Sequence, residues 1–147
     1  MVNKLFVGFK GKNNSSSILI KALMKENYLL TNSFEGLRKD IDNLSLDYDE
    51  VYLFGVDKKL KDTFRLERFA EKDGVNRESE FDLDKMRERF FQYGIKTEIS
   101  IFPSQYLCNE AYWHLLDKYH GNVVLIHIPT LKHFCDNWII SVRRFLC

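Results

Sequence analysis

NVVLIHIP, residues Asn122 to Pro129, is a near-continuous apolar run interrupted by a single histidine. Such a run is expected of a parallel strand covered on both faces, because neither side meets water and the alternation of a half-exposed strand is lost. EVYLFGV, Glu50 to Val56, has the same character and closes on a glycine. KLFVGF, Lys4 to Phe9, is a third apolar run, and TEISIF, Thr97 to Phe102, alternates like a strand before Pro103. Between these runs lie segments with helical spacing. In Ser104 to Tyr119, residues Leu107, Ala111, Tyr112, Leu115, Leu116 and Tyr119 line one face. Leu83 to Tyr93 places Met86, Phe90 and Tyr93 on one side, with Gly94 as the stop. SSSILIKALMKEN reads as a helix with serines as cap candidates, YLLTNSF as a second strand, GLRKDIDNL as a short helix, and Asn137 to Phe145 as the last helix. FRLERFAEKDGVNRESEFD begins with strand-like alternation and continues as a charged, turn-rich stretch. Strands alternating with helices predict an α/β layered domain with a mostly parallel sheet.

The 147 residues and 17.5 kDa suit one domain over 1–147. Twenty-two Lys and Arg against 21 Asp and Glu leave a formal charge of +1, which argues against nucleic-acid binding by bulk electrostatics. No run approaches the length of a membrane span, and the N-terminal apolar stretch is too short for a secretory signal, so the expected setting is the cytoplasm. Cys108, Cys135 and Cys147 form neither a disulfide framework nor a zinc-ligand spacing, and HExxH and CxxC are absent. No metal or cofactor is expected.

In parallel sheets ligands bind beyond the carboxyl ends of the strands. Cys108 falls in the first turn of a helix that follows a strand, where free N–H groups and the helix dipole favour a thiolate. His127 falls at the end of another strand, so both side chains are able to meet at one rim of the sheet. A thiol beside an imidazole, with a third group orienting the ring, is the requirement for nucleophilic cysteine catalysis. Backbone N–H groups of the 104–108 loop would then face an oxyanion. The competing reading is plain packing, since a lone cysteine is often a small buried hydrophobe and a strand histidine a satisfied core residue. Cys135, Cys147, His114, His120 and His133 have no such placement. The polar loop GFKGKNNSSS lacks a phosphate-binding pattern and reads as an ordinary strand-to-helix connection.

QYLCNEAYWHLL resembles the cysteine motif of pyroglutamyl peptidase I, the pyrrolidone-carboxylate peptidases. LIHIP is similar to that family's histidine motif, LERFA to its Glu-Arg-Val-Ala segment, and KLFVGF to its first strand. The four pieces occur in the family's order, and the chain looks like a shortened, divergent member. The resemblance implies a three-layer α/β/α sandwich, phosphorylase/hydrolase-like, with a mostly parallel, mixed central sheet. It implies removal of an N-terminal pyroglutamyl, or a related cyclic or N-capped group, from a small peptide or amide by a Cys-His-Glu triad. Carried over by position, Cys108 is the nucleophile, His127 the base and then acid, and Glu67 the orienting carboxylate. Gln105 and Cys108 supply oxyanion N–H groups, Phe9 and Tyr106 flank the substrate ring, and Arg77 matches an arginine near the oxyanion site. Neither nucleic acid nor membrane is an implied partner, and a homo-oligomer is compatible with it. Lys12, Ser104, Gln105 and the stretch DKKLKDT depart from the family's pocket. Those departures also fit a non-catalytic relative that binds a small ligand or a peptide end.

Overall fold

The computed structural model describes all 147 residues. The elements run β1 (Lys4–Phe9), α1 (Ser15–Ala22), β2 (Asn27–Leu30), α2 (Phe34–Asp42), β3 (Glu50–Val56), β4 (Thr63–Glu67), β5 (Phe69–Lys72), β6 (Val75–Glu78), α3 (Leu83–Gln92), β7 (Lys96–Ser100), α4 (Tyr106–Lys118), β8 (Val123–Ile128) and α5 (Asp136–Leu146). Six strands form one sheet in the order β2-β1-β3-β8-β4-β7. β2, β1, β3 and β8 are mutually parallel, β4 is antiparallel to β8, and β7 is parallel to β4. The sheet is therefore mixed, with one reversal between β8 and β4.

Helices cover both faces, as the apolar strands require. On one face Phe6, Phe54, Phe64, Leu66, Val124 and Ile126 pack under α1, α3 and α5 through Leu19, Ile20, Met86, Phe90 and Val142. On the other, Leu5, Val7, Leu53, Val123 and Leu125 pack under α2 and α4 through Leu37, Ile41, Ala111, Tyr112 and Leu115. Successive residues of β8 thus serve opposite cores, which is why the strand is apolar throughout. No helix is long and apolar enough to cross a membrane.

The ambiguous stretch after β3 resolves into three strands. β4 joins the sheet, and β5 and β6 make a separate antiparallel hairpin whose Asp73-Gly74 turn has φ of 52° and 78°. Two positive φ angles at Asp-Gly are the signature of a tight hairpin turn matched to strand twist. The hairpin lies on α4: Asn109 bonds both backbone groups of Glu71, the Trp113 indole donates to the Val75 carbonyl, and Lys72 pairs with Glu110 at 2.5 Å.

Several boundaries differ from expectation: β2 ends at Leu30, and Phe34 already belongs to α2. The cap of α1 is Asn14, whose side chain accepts from the Ser16 N–H; the serines are buried in the first turn, where Ser15 Oγ donates to the Pro129 carbonyl at 2.6 Å. β7 stops at Ser100, opposite Glu67 at the end of β4, and leaves Ile101 and Phe102 exposed. α4 starts at Tyr106 and not at Ser104, because Gln105 is extended and Tyr106 takes φ of 61°.

Candidate active site

Strand register assembles the site. Gly55 of β3 pairs with His127 of β8, His127 with Arg65 of β4, and Arg65 with Glu98 of β7. These four residues form one row across the sheet on the α4 side. Glu67, two residues beyond Arg65, shares its face. Cys108 enters from the first turn of α4 and sits over Gly55. A Cβ on that glycine would lie 2.7 Å from Cys108 Sγ and 3.3 Å from His127 Nε2, so sulfur and ring nitrogen flank the space that the missing methyl leaves. No hydrogen bond joins the thiol to the ring.

Behind the ring, His127 Nδ1 lies 2.8 Å from Glu67 Oε2. Glu67 is buried to 1% exposure and His127 to 4%. A buried carboxylate is costly unless paired and hydrogen-bonded, by several kcal/mol. Its partners here are the imidazole and Arg65, whose Nε donates to Oε2 at 2.6 Å. Arg65 Nη2 also meets Asp57 Oδ2 at 2.6 Å and lies 3.4 Å from His127 Nδ1. Burial alone would raise the Asp57 pKa, but the Lys59 N–H and Arg65 outweigh it and hold the carboxyl below its ordinary range. Burial likewise opposes the Arg65 charge, and the two carboxylates more than restore it.

The surroundings of the thiol favour its neutral form. Burial, then the charges of Glu67 and Asp57, push Cys108 up to about 12, against a smaller lowering by the Val56 N–H and Arg65. Desolvation and two nearby carboxylates thus act against the thiolate that the helix terminus favours.

The cleft around these groups has a volume of about 580 Å³, within the range of small-molecule sites of roughly 300–1,000 Å³. Its walls include Lys58, Lys59, Phe102, Ser104, Gln105 and Tyr106. Neither the Gln105 nor the Cys108 N–H has an acceptor, and α4 lacks a side-chain cap, so both donors are free at the helix start. Tyr106 is 79% exposed on the rim. Ser104 Oγ is buried without a hydrogen-bond partner.

Two expected site residues lie elsewhere. Phe9 is a core residue beside Val7 and Leu5 and does not line the cleft, although it lies on the same face of the sheet as Gly55; it is packed in the core under α2 and α4 and almost fully buried. Arg77 on β6 stacks over Trp113, 3.8 Å from the ring centre, and pairs with Asp117 at 2.5 Å. It clamps the hairpin to α4. Lys12 also lies outside the cleft, whereas Lys58 and Lys59 of the divergent stretch line it without an ion-pair partner. Arg65 and Asp57 were not singled out from sequence, although the charged pair at 65 and 67, alternating with apolar Phe64 and Leu66, marks a polar face on an otherwise buried strand. No group of three or more His, Cys, Asp and Glu side chains is placed to hold a metal ion.

No protein-family model matches the chain, and no curated protein matches it by sequence. Solved structures do match its fold. The pyrrolidone carboxyl peptidase of Thermus thermophilus superposes with a TM-score of 0.82 at 20% identity, over 97% of this chain and 98% of that one. The pyrrolidone carboxyl peptidase of Thermococcus litoralis gives 0.80 at 16% identity, over 97% and 90%. Pyroglutamyl peptidase I of Bacillus amyloliquefaciens gives 0.78 at 15%, over 97% and 94%. The three-layer α/β fold with a mixed, mostly parallel sheet is thus shared with these peptidases.

Proposed function

We propose that the chain is a cysteine hydrolase of pyroglutamyl-peptidase type. The observation that carries this reading is the buried Glu67–His127 bond at 2.8 Å with Cys108 across Gly55 from the same ring. The fold shared with pyrrolidone carboxyl peptidases and the Cys-Asn, Ile-His-Ile-Pro and Leu-Glu-Arg-Phe-Ala motifs support it.

Burial and the neighbouring carboxylates favour the neutral thiol, so in this reading the reaction begins with proton transfer. His127 Nε2 takes the Sγ proton as the sulfur attacks the substrate carbonyl, and the Gln105 and Cys108 N–H groups receive the developing oxyanion. The imidazolium, held by Glu67, returns the proton to the leaving amine, and a thioester remains. Water, deprotonated by the same ring, cleaves the thioester, releasing the acid and the free thiol. Tyr106 offers an aromatic face to a flat lactam ring. The substrate is a pyroglutamyl or related N-capped peptide or amide.

A fluorogenic pyroglutamyl amide should be turned over, and Cys108→Ala should abolish the signal; turnover surviving in that variant sinks the mechanism. A second reading, a non-catalytic binder of a small ligand or peptide end, is favoured by the absent thiol–imidazole hydrogen bond and by the unpaired Lys58 and Lys59. It predicts saturable binding of a pyroglutamyl peptide with no product.

A further inference from the structure

Arg65 belongs to no motif that suggested the triad, yet it stands directly opposite His127 in the β4–β8 ladder. We propose that Arg65, anchored by Asp57, is a positioning residue that orients Glu67 and thereby fixes the proton of His127 on Nδ1, leaving Nε2 free toward Cys108. The inference rests on reading Cys108, His127 and Glu67 as a triad.

Two nitrogens converge on a single oxygen, Glu67 Oε2: Arg65 Nε at 2.6 Å and His127 Nδ1 at 2.8 Å; an ionised carboxylate only accepts, so Nδ1 pairs with it by donating. Arginine has donors only, so the 3.4 Å approach of Nη2 to His127 Nδ1 is not a hydrogen bond to a protonated Nδ1. The shared acceptor holds the two groups side by side. Arg65 brings the full positive charge that the buried carboxylate needs, so the ring is required only to donate a proton. That selects the Nδ1–H tautomer, and Nε2 is the ring nitrogen nearest the space beside the sulfur. The guanidinium is itself fixed. Its Nη2 is held by Asp57 Oδ2, and Asp57 Oδ1 accepts the Lys59 N–H at 2.9 Å, which pins the carboxylate in its turn. The charged and titratable groups around the ring are Glu67 and Arg65 on β4, Asp57 after β3, Cys108 on α4, Glu98 on β7 at 4.0 Å from Arg65 Nη1, and Lys58 and Lys59 on the cleft wall.

The test measures kcat, KM and the pH profile on a pyroglutamyl amide, together with the nitrogen NMR signature of His127, in the wild type, Arg65→Met and Arg65→Lys. Arg65→Met is expected to lower kcat about 100-fold with little change in KM, the scale of a misplaced catalytic group. Its pH profile should differ from that of the wild type, because the carboxylate behind the ring has lost its fixed cation. Arg65→Lys should recover part of the loss, since lysine restores charge without the planar fork. In the wild type the free ring should show the single Nδ1–H tautomer, and in Arg65→Met a doubly protonated or mixed ring. Wild-type kcat, pH profile and tautomer in Arg65→Met would overturn the proposal. If Arg65→Met does not fold by circular dichroism, Asp57→Asn takes its place: a fall in kcat of about tenfold supports the proposal and an unchanged kcat overturns it. A wild type without turnover defeats the proposed reaction, and the tautomer comparison then decides the role of Arg65 alone.

Discussion

Gly55 contributes to the candidate centre by what it lacks. Its missing methyl is the space into which Cys108 Sγ and His127 Nε2 face, and Gly55→Ala would place a carbon 2.7 Å from the sulfur. The sulfur must move, at a cost of about 1–3 kcal/mol in stability as for other overpacked sites. Activity should fall by about 100-fold or more, because the proposed nucleophile leaves its attack position. Kinetics beside urea melts of the variant check both, and full activity would show that the thiol does not work from over Gly55. Cys108 and His127 were legible in the sequence because each stands at the end of an apolar strand or the start of the following helix, positions fixed by local pattern. Arg65 and Asp57 were not. Their roles depend on which residue lies opposite which in the β4–β8 pair, and local propensity carries no information about register across a reversed strand. The state of the thiol was hidden for the same reason: helix position alone favours a thiolate, and only the packed structure sets Glu67 and Asp57 beside it.

Among the elements, β3, β8 and α4 were recognisable because an unbroken apolar run or a long apolar stripe has few alternative explanations. β4, β5 and β6 were merged into one ambiguous stretch, since short strands with charged faces resemble loops until a partner is known. The hairpin explains the position of Arg77, which the family resemblance implies near the oxyanion and which the structure stacks on Trp113 of α4. Its guanidinium stacks on Trp113 and its ion pair with Asp117 is largely solvent-exposed on the acid side. Arg77→Ala should therefore cost about 0.5–1.5 kcal/mol, mostly from the cation–π contact, and leave KM for a pyroglutamyl amide unchanged. A KM increase of tenfold with unchanged stability would return Arg77 to the substrate site. At the start of α4, the left-handed Tyr106 is a conformation that costs a non-glycine residue on the order of 1–3 kcal/mol, and it sets the rim aromatic where the cleft opens.

At the scale of the molecule, two apolar cores on either side of one sheet leave a polar row crossing from β8 to β7 on the α4 side, and Glu67 on β4 and Cys108 on α4 gather beside it. The interior also holds acids that are hard to ionise. Burial, with Glu67 and Asp57, raises Cys108 to about 12; burial raises Tyr119 to about 12 and is the leading cause of upward shifts at Tyr52 and Tyr112. These groups lose their protons in the unfolded chain at lower pH than in the folded one. Their contribution to stability is complete below the ordinary cysteine and tyrosine values and is lost as pH rises toward about 12. Urea midpoints should fall between about pH 8 and 11, and a flat profile would contradict this placement of the four side chains. One cysteine of three is the proposed nucleophile, and mass analysis with peptide mapping after incubation with a pyroglutamyl chloromethyl ketone tests that most directly. One adduct on the partly buried Cys108, lost in His127→Ala, is the predicted result. Labelling of the exposed Cys135 or Cys147 in preference to Cys108 would contradict it.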